Sequence, residues 1–527
     1  MNLNYIVKII SNFSKKIWNY ISLPVIGFFS LIWIIYRVIQ KPSRINYPCV
    51  KTASPFAAQF LSFLGISGST SAILKSKLRR RVTISVVVLV VFMVTGWMFM
   101  ASTQPPVFTP DEAPNSPIGE ARGINPGRVV WVHEPEAVSW NGRTGTWWDE
   151  NNVDQELVKK MVSQSILDLT GELNEAEAWD SLFKHFNQKR GRGNEGYSPG
   201  EKIVIKLNLN NSDSLLWDRN TGLNSTPQMI IALLEQLVEV VGVEETDITL
   251  SDPSRIVGNP IYINTKGIFP GVHFEDRAGI SGRKRAEPDL DTPIYYADPE
   301  IEESGEVYLP ASFVEADYLI NLALLKGHDL AGITLNSKNH FGSIWVESDQ
   351  GEWNNGWSPS HLHRYITVED WRDLPKREMG TYNSLVELMG HEHLDGKTVL
   401  FLIDALYAAP SQGGPQEKWR SEPFDNDWTA SLFVSQDPVA IESVGLDLMR
   451  NEPTLSSNVV GNVDNYLHEA ALAHNPPSES FYDPEGDGNH LFSLGVHEHW
   501  NNEEDRQYSR NLGKDKGIEL IYRVFEE

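Results

Sequence analysis

Asn321-Leu322-Ala323-Leu324-Leu325-Lys326-Gly327-His328-Asp329 is the stretch on which the fold turns. It continues an apolar run that begins at Tyr318 and breaks into Lys, Gly, His and Asp over four residues. Such a run reads as a buried strand, and its polar end as the strand's carboxyl edge. Runs of the same kind occupy residues 129–133, 202–207, 247–251, 398–403 and 430–434. Helical spacing of apolar residues fills 154–169 and 227–241, the latter with Thr226 as N-cap and Pro227 at the first helical position. Strands alternating with helices predict an α/β domain with a largely parallel sheet flanked by helices. Ligands in such sheets sit at the carboxyl ends of strands. The polar residues that follow each apolar run are therefore the candidate site.

Asn208 follows the run 202–207, where an amide binds a ligand or caps a loop. Asp252 follows 247–251 and suits a metal or hydroxyl ligand, and equally a helix cap. After Lys326 and His328 come Thr334-Leu335-Asn336-Ser337-Lys338-Asn339-His340-Phe341-Gly342. Lysines and amides beside glycine-exposed backbone donors suit an anionic group. His328 suits a base or a metal ligand. Asp404 ends the run 398–403, with Gln412-Gly413-Gly414-Pro415 soon after, and Asp437-Pro438 opens a helix. The expected roles are catalysis for Lys326, His328, Lys338 and Asp404, and ligand binding for Asn208, Asn336, Asn339, Gly413 and Gly414.

Two His-Glu-His triplets occur, 391–393 and 497–499. On a strand, His-x-His puts both rings on one face, a common metal-ligand spacing. His497 and His499, with Asp252 and Asp437, are the candidate ligands of a divalent metal whose identity stays open. The acidic turn at 483–489 is not an EF-hand, because position twelve would be Leu494 rather than Glu.

The first 110 residues hold twelve Lys/Arg and no Asp or Glu, so the net charge of −25 divides into about +12 and −37. Two uncharged apolar runs, 17–36 and 82–101, each match the length of a bilayer-spanning helix. Nine basic residues lie between them, and none follows the second before Arg122. Positive loops stay cytoplasmic. The expectation is a membrane anchor over residues 1–103, with two transmembrane helices and the lipid bilayer as partner. A proline-rich linker over 104–126 and an acidic α/β outer domain over 127–527 follow it. The expected location is the cell membrane, multi-pass, with the C-terminal domain on the extracytoplasmic, periplasmic side. A domain near −37 repels phosphate backbones, so nucleic acid is not an expected partner.

Taken in order, five pieces resemble the domain-of-unknown-function family 362. They are 206–208; 251–254; Lys326-Gly327-His328 with 334–342; Ile403-Asp404 with Gly413-Gly414-Pro415; and 435–441. The resemblance covers roughly residues 200–450 and implies an α/β fold and no settled reaction. Some members carry ferredoxin-like cysteine motifs. Here Cys49 is the single cysteine, which removes the iron–sulfur reading. Two functional classes remain. One is metal-assisted hydrolysis or transfer on a small anionic substrate. The other is a tethered module that binds a solute, sugar or metal, or serves as a scaffold, without catalysis.

Overall fold

The computed structural model of the chain describes residues 113–525 except 304–306, 348–358, 371–373, 456–458, 460 and 461, together with residues 30, 31 and 57. Contacts divide the chain into residues 1–107 and 108–527. Every strand among the described residues belongs to the second unit. In chain order these are β1 (Ile118–Gly119), β2 (Arg128–His133), β3 (Ile203–Lys206), β4 (Ile248–Asp252), β5 (His273–Asp276), β6 (Lys284–Arg285) and β7 (Pro288–Ile294). There follow β8 (Val307–Pro310), β9 (Tyr318–His328), β10 (Gly332–Thr334), β11 (Thr398–Ala409), β12 (Ser431–Ser435), β13 (Val496–His497) and β14 (Glu519–Val524).

The central sheet has the order β14-β2-β12-β11-β9-β3-β4-β5-β6, with β10 folded back on β9. Along that path β12 is antiparallel to β2 and β11, and every other pair is parallel. The fold is thus mixed α/β with a mostly parallel central sheet. Strands buried on both faces are nearly continuous apolar runs. In β9, Leu319, Ala323 and Leu325 enter one core, while Tyr318, Ile320, Leu322 and Leu324 enter the other. The second core is covered by α1 (Gln155–Thr170), α2 (Glu175–Lys189), α3 (Pro227–Glu235) and α4 (Asn259–Ile268). A short α5 (Asn336–Asn339) follows β10. The first core is covered by α6 (Leu385–Gly390), α7 (Pro438–Asn451) and α8 (Asn465–Ala471).

Each expected strand is present, and β9 is longer than expected because the hairpin with β10 carries the pairing through Lys326, Gly327 and His328. Helix α1 starts at Asp154, whose side chain accepts from Leu157 N at 3.0 Å, and ends at Gly171 with φ +82. The helix expected over 227–241 is α-helical only to Glu235 and finishes as a π-helical turn, Gln236–Val241. Thr226 does not cap it with its own side chain. Its backbone N and Oγ1 both donate to Asp404 Oδ2, at 2.8 and 2.6 Å.

The expected location is corrected here. Among the described residues no helix is long and apolar enough to cross a membrane, which overturns the multi-pass, extracytoplasmic assignment. The apolar runs at 17–36 and 82–101 lie outside the described residues apart from 30 and 31. Run length and charge asymmetry state what a segment tolerates in a bilayer. They do not by themselves make a spanning helix.

From β3 the chain moves one way across the sheet, to β4, β5 and β6, and from β9 it moves the other way, to β11 and β12. The order reverses between β3 and β9, and a crevice opens at the carboxyl ends of strands at such a reversal. Opposite this crevice, Asp437 holds the sheet's other half together. It caps α7 through Val439 N and Ala440 N at 3.1 and 2.9 Å, and accepts from Arg122 N at 2.7 Å and Val496 N at 3.3 Å. Replacing Asp437 by Ala strands four amide donors, so it is expected to lower unfolding stability by at least about 2 kcal/mol. A shift of the denaturant midpoint, read by far-UV circular dichroism, checks this.

Candidate functional site

At the β3/β9 reversal lies a cavity of about 380 Å³. Its wall is built from strand ends. Asn208 and Asn210 follow β3, Asp252, Ser254 and Arg255 end and follow β4, and His328 ends β9. Thr334 ends β10, the segment after it adds Lys338, Asn339 and Phe341, Gln412 follows β11, and His363 comes from the chain between Phe341 and α6. A volume of that size suits a small ligand.

Two lysines without exposed surface, Lys206 and Lys326, stand behind the lining residues Asp252, Asn339 and Asn208. Lys206 Nζ lies 3.3 Å from Asp252 Oδ2, donates to Asn339 Oδ1 at 3.0 Å, and donates to the Leu207 carbonyl. Both oxygens of Asp252 are engaged, Oδ2 also by Leu209 N and Oδ1 by Ser254 N and Oγ. A Cβ on Gly342 would stand 2.8 Å from Lys206 Nζ and 3.0 Å from Asp252 Oδ1, so this turn closes over the pair only as glycine. Lys326 Nζ donates to Asn208 Oδ1 at 3.0 Å and, among the described residues, pairs with no carboxylate. Burial, then the Arg255 charge, pull its pKa down to about 7 against the opposing effect of Asp252. Lys338, partly open to the cleft, is driven well below the ordinary lysine value by burial and by the charges of Lys326, Arg255 and Lys206. Its ammonium sits 3.7 Å from the Phe341 ring centroid. Arg255 reaches Asn210 Oδ1 at 3.2 Å and the exposed Asp213 at 3.3 Å.

His328 Nδ1 accepts from the backbone N–H of Leu330 and Ala331, at 3.1 and 3.2 Å. The proton of the neutral ring is therefore on Nε2, which lies 3.2 Å from His363 Nε2. Burial and the neighbouring positive groups hold His328 in that neutral form. With Nδ1 occupied and Nε2 protonated, His328 serves as a hydrogen-bond donor, and the metal-ligand role expected for it does not fit.

The other expected residues fall in several places. Asn208 and Asn339 line the cavity. Asn336 lies beneath it and staples α5 to the sheet by donating to the carbonyls of Asn321 and Leu402, at 2.9 and 3.0 Å. In the turn after β11 the wall uses Gln412, while Gly413 and Gly414 stand outside it. Asp404 is buried against Thr226, and Asp437 is the cap of α7. Neither is brought into the cleft. His497 and His499 join Asp464 instead, and these three ligand atoms lie within 4.8 Å of one another, a triad suited to a metal ion. In the other triplet, His391 Nδ1 is used by His393 N at 3.1 Å. Sequence reasoning passed over Arg255, Gln412 and His363. Arg255 closes the strand-end stretch around Asp252 and was legible there. His363 sits in a 3₁₀ segment, Pro359–Tyr365, with no strand to announce it.

The comparisons bear on the same strands. Residues 203–447, a segment that begins in β3 and ends in α7, match the family model of a domain of unknown function, DUF362. No curated protein matches the chain.

Removing one member of a buried ion pair leaves the other uncompensated, at a cost of about 3–5 kcal/mol. Lys206→Met is therefore expected to lower stability by about that amount. In the Lys206→Met, Asp252→Leu double variant much of the loss should return, as measured by equilibrium unfolding of all three proteins.

Proposed function

We propose that this protein binds a small anion, a carboxylate or phosphate group of its substrate, in the cleft at the β3/β9 reversal. We further propose that Lys326 exchanges a proton with the bound molecule. The observation that carries this reading is the imbalance of charge. Lys338 and Arg255 line a cavity whose one lining carboxylate among the described residues, Asp252, is already committed to Lys206, and Lys326 is buried behind the lining residue Asn208. Lys206 and Arg255 have carboxylate partners, but among the described residues Lys326 and Lys338 have none, and buried cations without such partners are costly unless something supplies the opposite charge. An anion supplies it, and the Asn208 amide N–H offers it a neutral donor, whereas the Asn339 amide already donates to Asn321 Oδ1 and the Leu322 carbonyl.

In this reading Lys338 and Arg255 position the anion by charge-assisted hydrogen bonds. Lys326, held near neutrality, has the proton affinity that a general acid–base requires at physiological pH. His328 donates its Nε2 proton toward His363 and keeps that wall neutral. The metal-assisted form of the reaction is set aside for the cleft. Its one carboxylate is saturated, and its remaining charged groups are cations that repel a divalent ion. Catalysis on the bound anion remains part of the proposal, and a cleft that binds without turnover is the competing outcome of the test.

Inorganic phosphate and malonate are suitable probes, with binding to the full-length protein followed by titration calorimetry. Lys338→Met and Arg255→Met should each weaken binding about tenfold or more, as expected for one charge-assisted hydrogen bond. Below about pH 7 Lys326 is already protonated, and affinity should be highest and flat. Above that pH, binding must draw in a proton, and affinity should fall by up to about tenfold per pH unit. Calorimetry in buffers of different ionisation enthalpy should show proton uptake that disappears in Lys326→Met. Affinity that ignores both pH and these substitutions would sink the proposal.

A further inference from the structure

Away from the cleft, α7 and α8 meet the segment that contains β13. Asp464, immediately before α8, converges there with His497 and His499, and all three are buried. The protonation of both rings is dictated by their neighbours. Ser443 Oγ donates its hydrogen to the Val439 carbonyl at 2.7 Å, so toward His497 Nδ1, 2.8 Å away, it acts as acceptor. With Nδ1 engaged by Ser443, the His497 atom that a metal would use is Nε2. His499 Nδ1 lies 2.5 Å from Asp447 Oδ1, an acceptor only, and its Nε2 faces Asp464 Oδ2 at 3.2 Å. Asp447 is itself held by Trp500 N at 3.0 Å and Tyr508 Oη at 2.9 Å. An imidazole whose Nδ1–H is fixed by a carboxylate or hydroxyl is the support a metal-ligating histidine uses.

We propose that Asp464, His497 and His499 form a binding site for a divalent transition metal, with Zn²⁺ the best fit. Two imidazoles and one carboxylate match the nitrogen and oxygen preferences of that ion. Arg450 pairs with both oxygens of Asp464, Nη1 with Oδ2 at 2.8 Å and Nη2 with Oδ1, and balances one of the two carboxylates, so a metal would share Asp464 with it. The local charge before metal entry is thus about −1, which a dication reverses rather than multiplies. Neither Lys326 nor any other cleft residue takes part, so this site stands or falls independently of the anion proposal. Its effect would be to clip the C-terminal segment, which continues to β14, onto α7 and α8.

The test uses full-length protein loaded with Zn²⁺ and dialysed against metal-free buffer. One zinc per chain is expected, with X-ray absorption showing two imidazole ligands and a melting temperature that rises with added Zn²⁺. His497→Ala should lose the metal. Ser443→Ala should weaken binding by about 10–100-fold, the usual effect of removing such a supporting partner. Lys338→Met should retain the metal. The proposal is overturned if the folded wild-type chain retains no zinc, which would leave His499 as an imidazolium bridging Asp447 and Asp464. It is also overturned if the absorption spectrum lacks imidazole, or if a folded His497→Ala protein binds as wild type does. Should His497→Ala not fold, the wild-type spectrum alone decides.

Discussion

A lysine with no exposed surface, at the end of the strand beside the sheet's reversal, sets the arrangement of what surrounds it. Burying a lone ammonium costs several kcal/mol, and Lys206 tolerates it only because Asp252, Asn339 and the Leu207 carbonyl meet its Nζ together. These partners come from β4, from α5 and from the turn after β3. None of the three can shift without stranding the charge. Gly342 extends the same constraint to the turn after α5, where a side chain would collide with the pair. A polar contact at the heart of the crevice thus fixes four chain segments that apolar packing alone would leave free to slide.

The same strand ends hold groups of opposite fate. Lys206 has a carboxylate and keeps company with it. Lys326, on the adjacent strand, has one amide oxygen and a neighbouring guanidinium, so burial wins and its proton affinity drops to about 7. The sheet's far half is built with the reverse bias, where Asp447 and Asp464 meet Arg450 and His499, with His497 beside Asp464. Cations gather where β3 and β9 diverge, and acids with imidazoles gather where α7 and α8 receive the C-terminal segment. An anion and a metal dication would be directed to different places by charge alone.

The strands were legible because the core alternates with period two and is apolar on both faces, so each buried run stood out from its polar end. Asp252, Lys326, His328, Lys338 and Asn339 were legible for the same reason. Asp404 and Asp437 looked identical to Asp252 in sequence and do something else. An acid at a strand end becomes a cap or a wall residue according to which donors arrive from far along the chain. For Asp404 the donor is Thr226, and for Asp437 it includes Arg122. No local pattern encodes those meetings. His363 and Asp464 were hidden for a related reason, since each joins its partners from a segment without strand periodicity.

Three lysines and an arginine around one small cavity would be a severe burden if all stayed charged, and Lys326 shows how the fold avoids it. Its folded pKa lies below the ordinary lysine value of 10.5. The unfolded chain therefore binds more protons between about pH 7 and that value, and stability rises with pH across the window. At neutrality the amine sheds part of its charge, and the crevice tolerates its own composition. An anion entering the cavity reverses the balance, because it favours the ammonium and draws the proton back. Binding and protonation are then one event. On the proposed reading, the group that burdens the cleft by its burial is the one whose proton affinity answers the ligand.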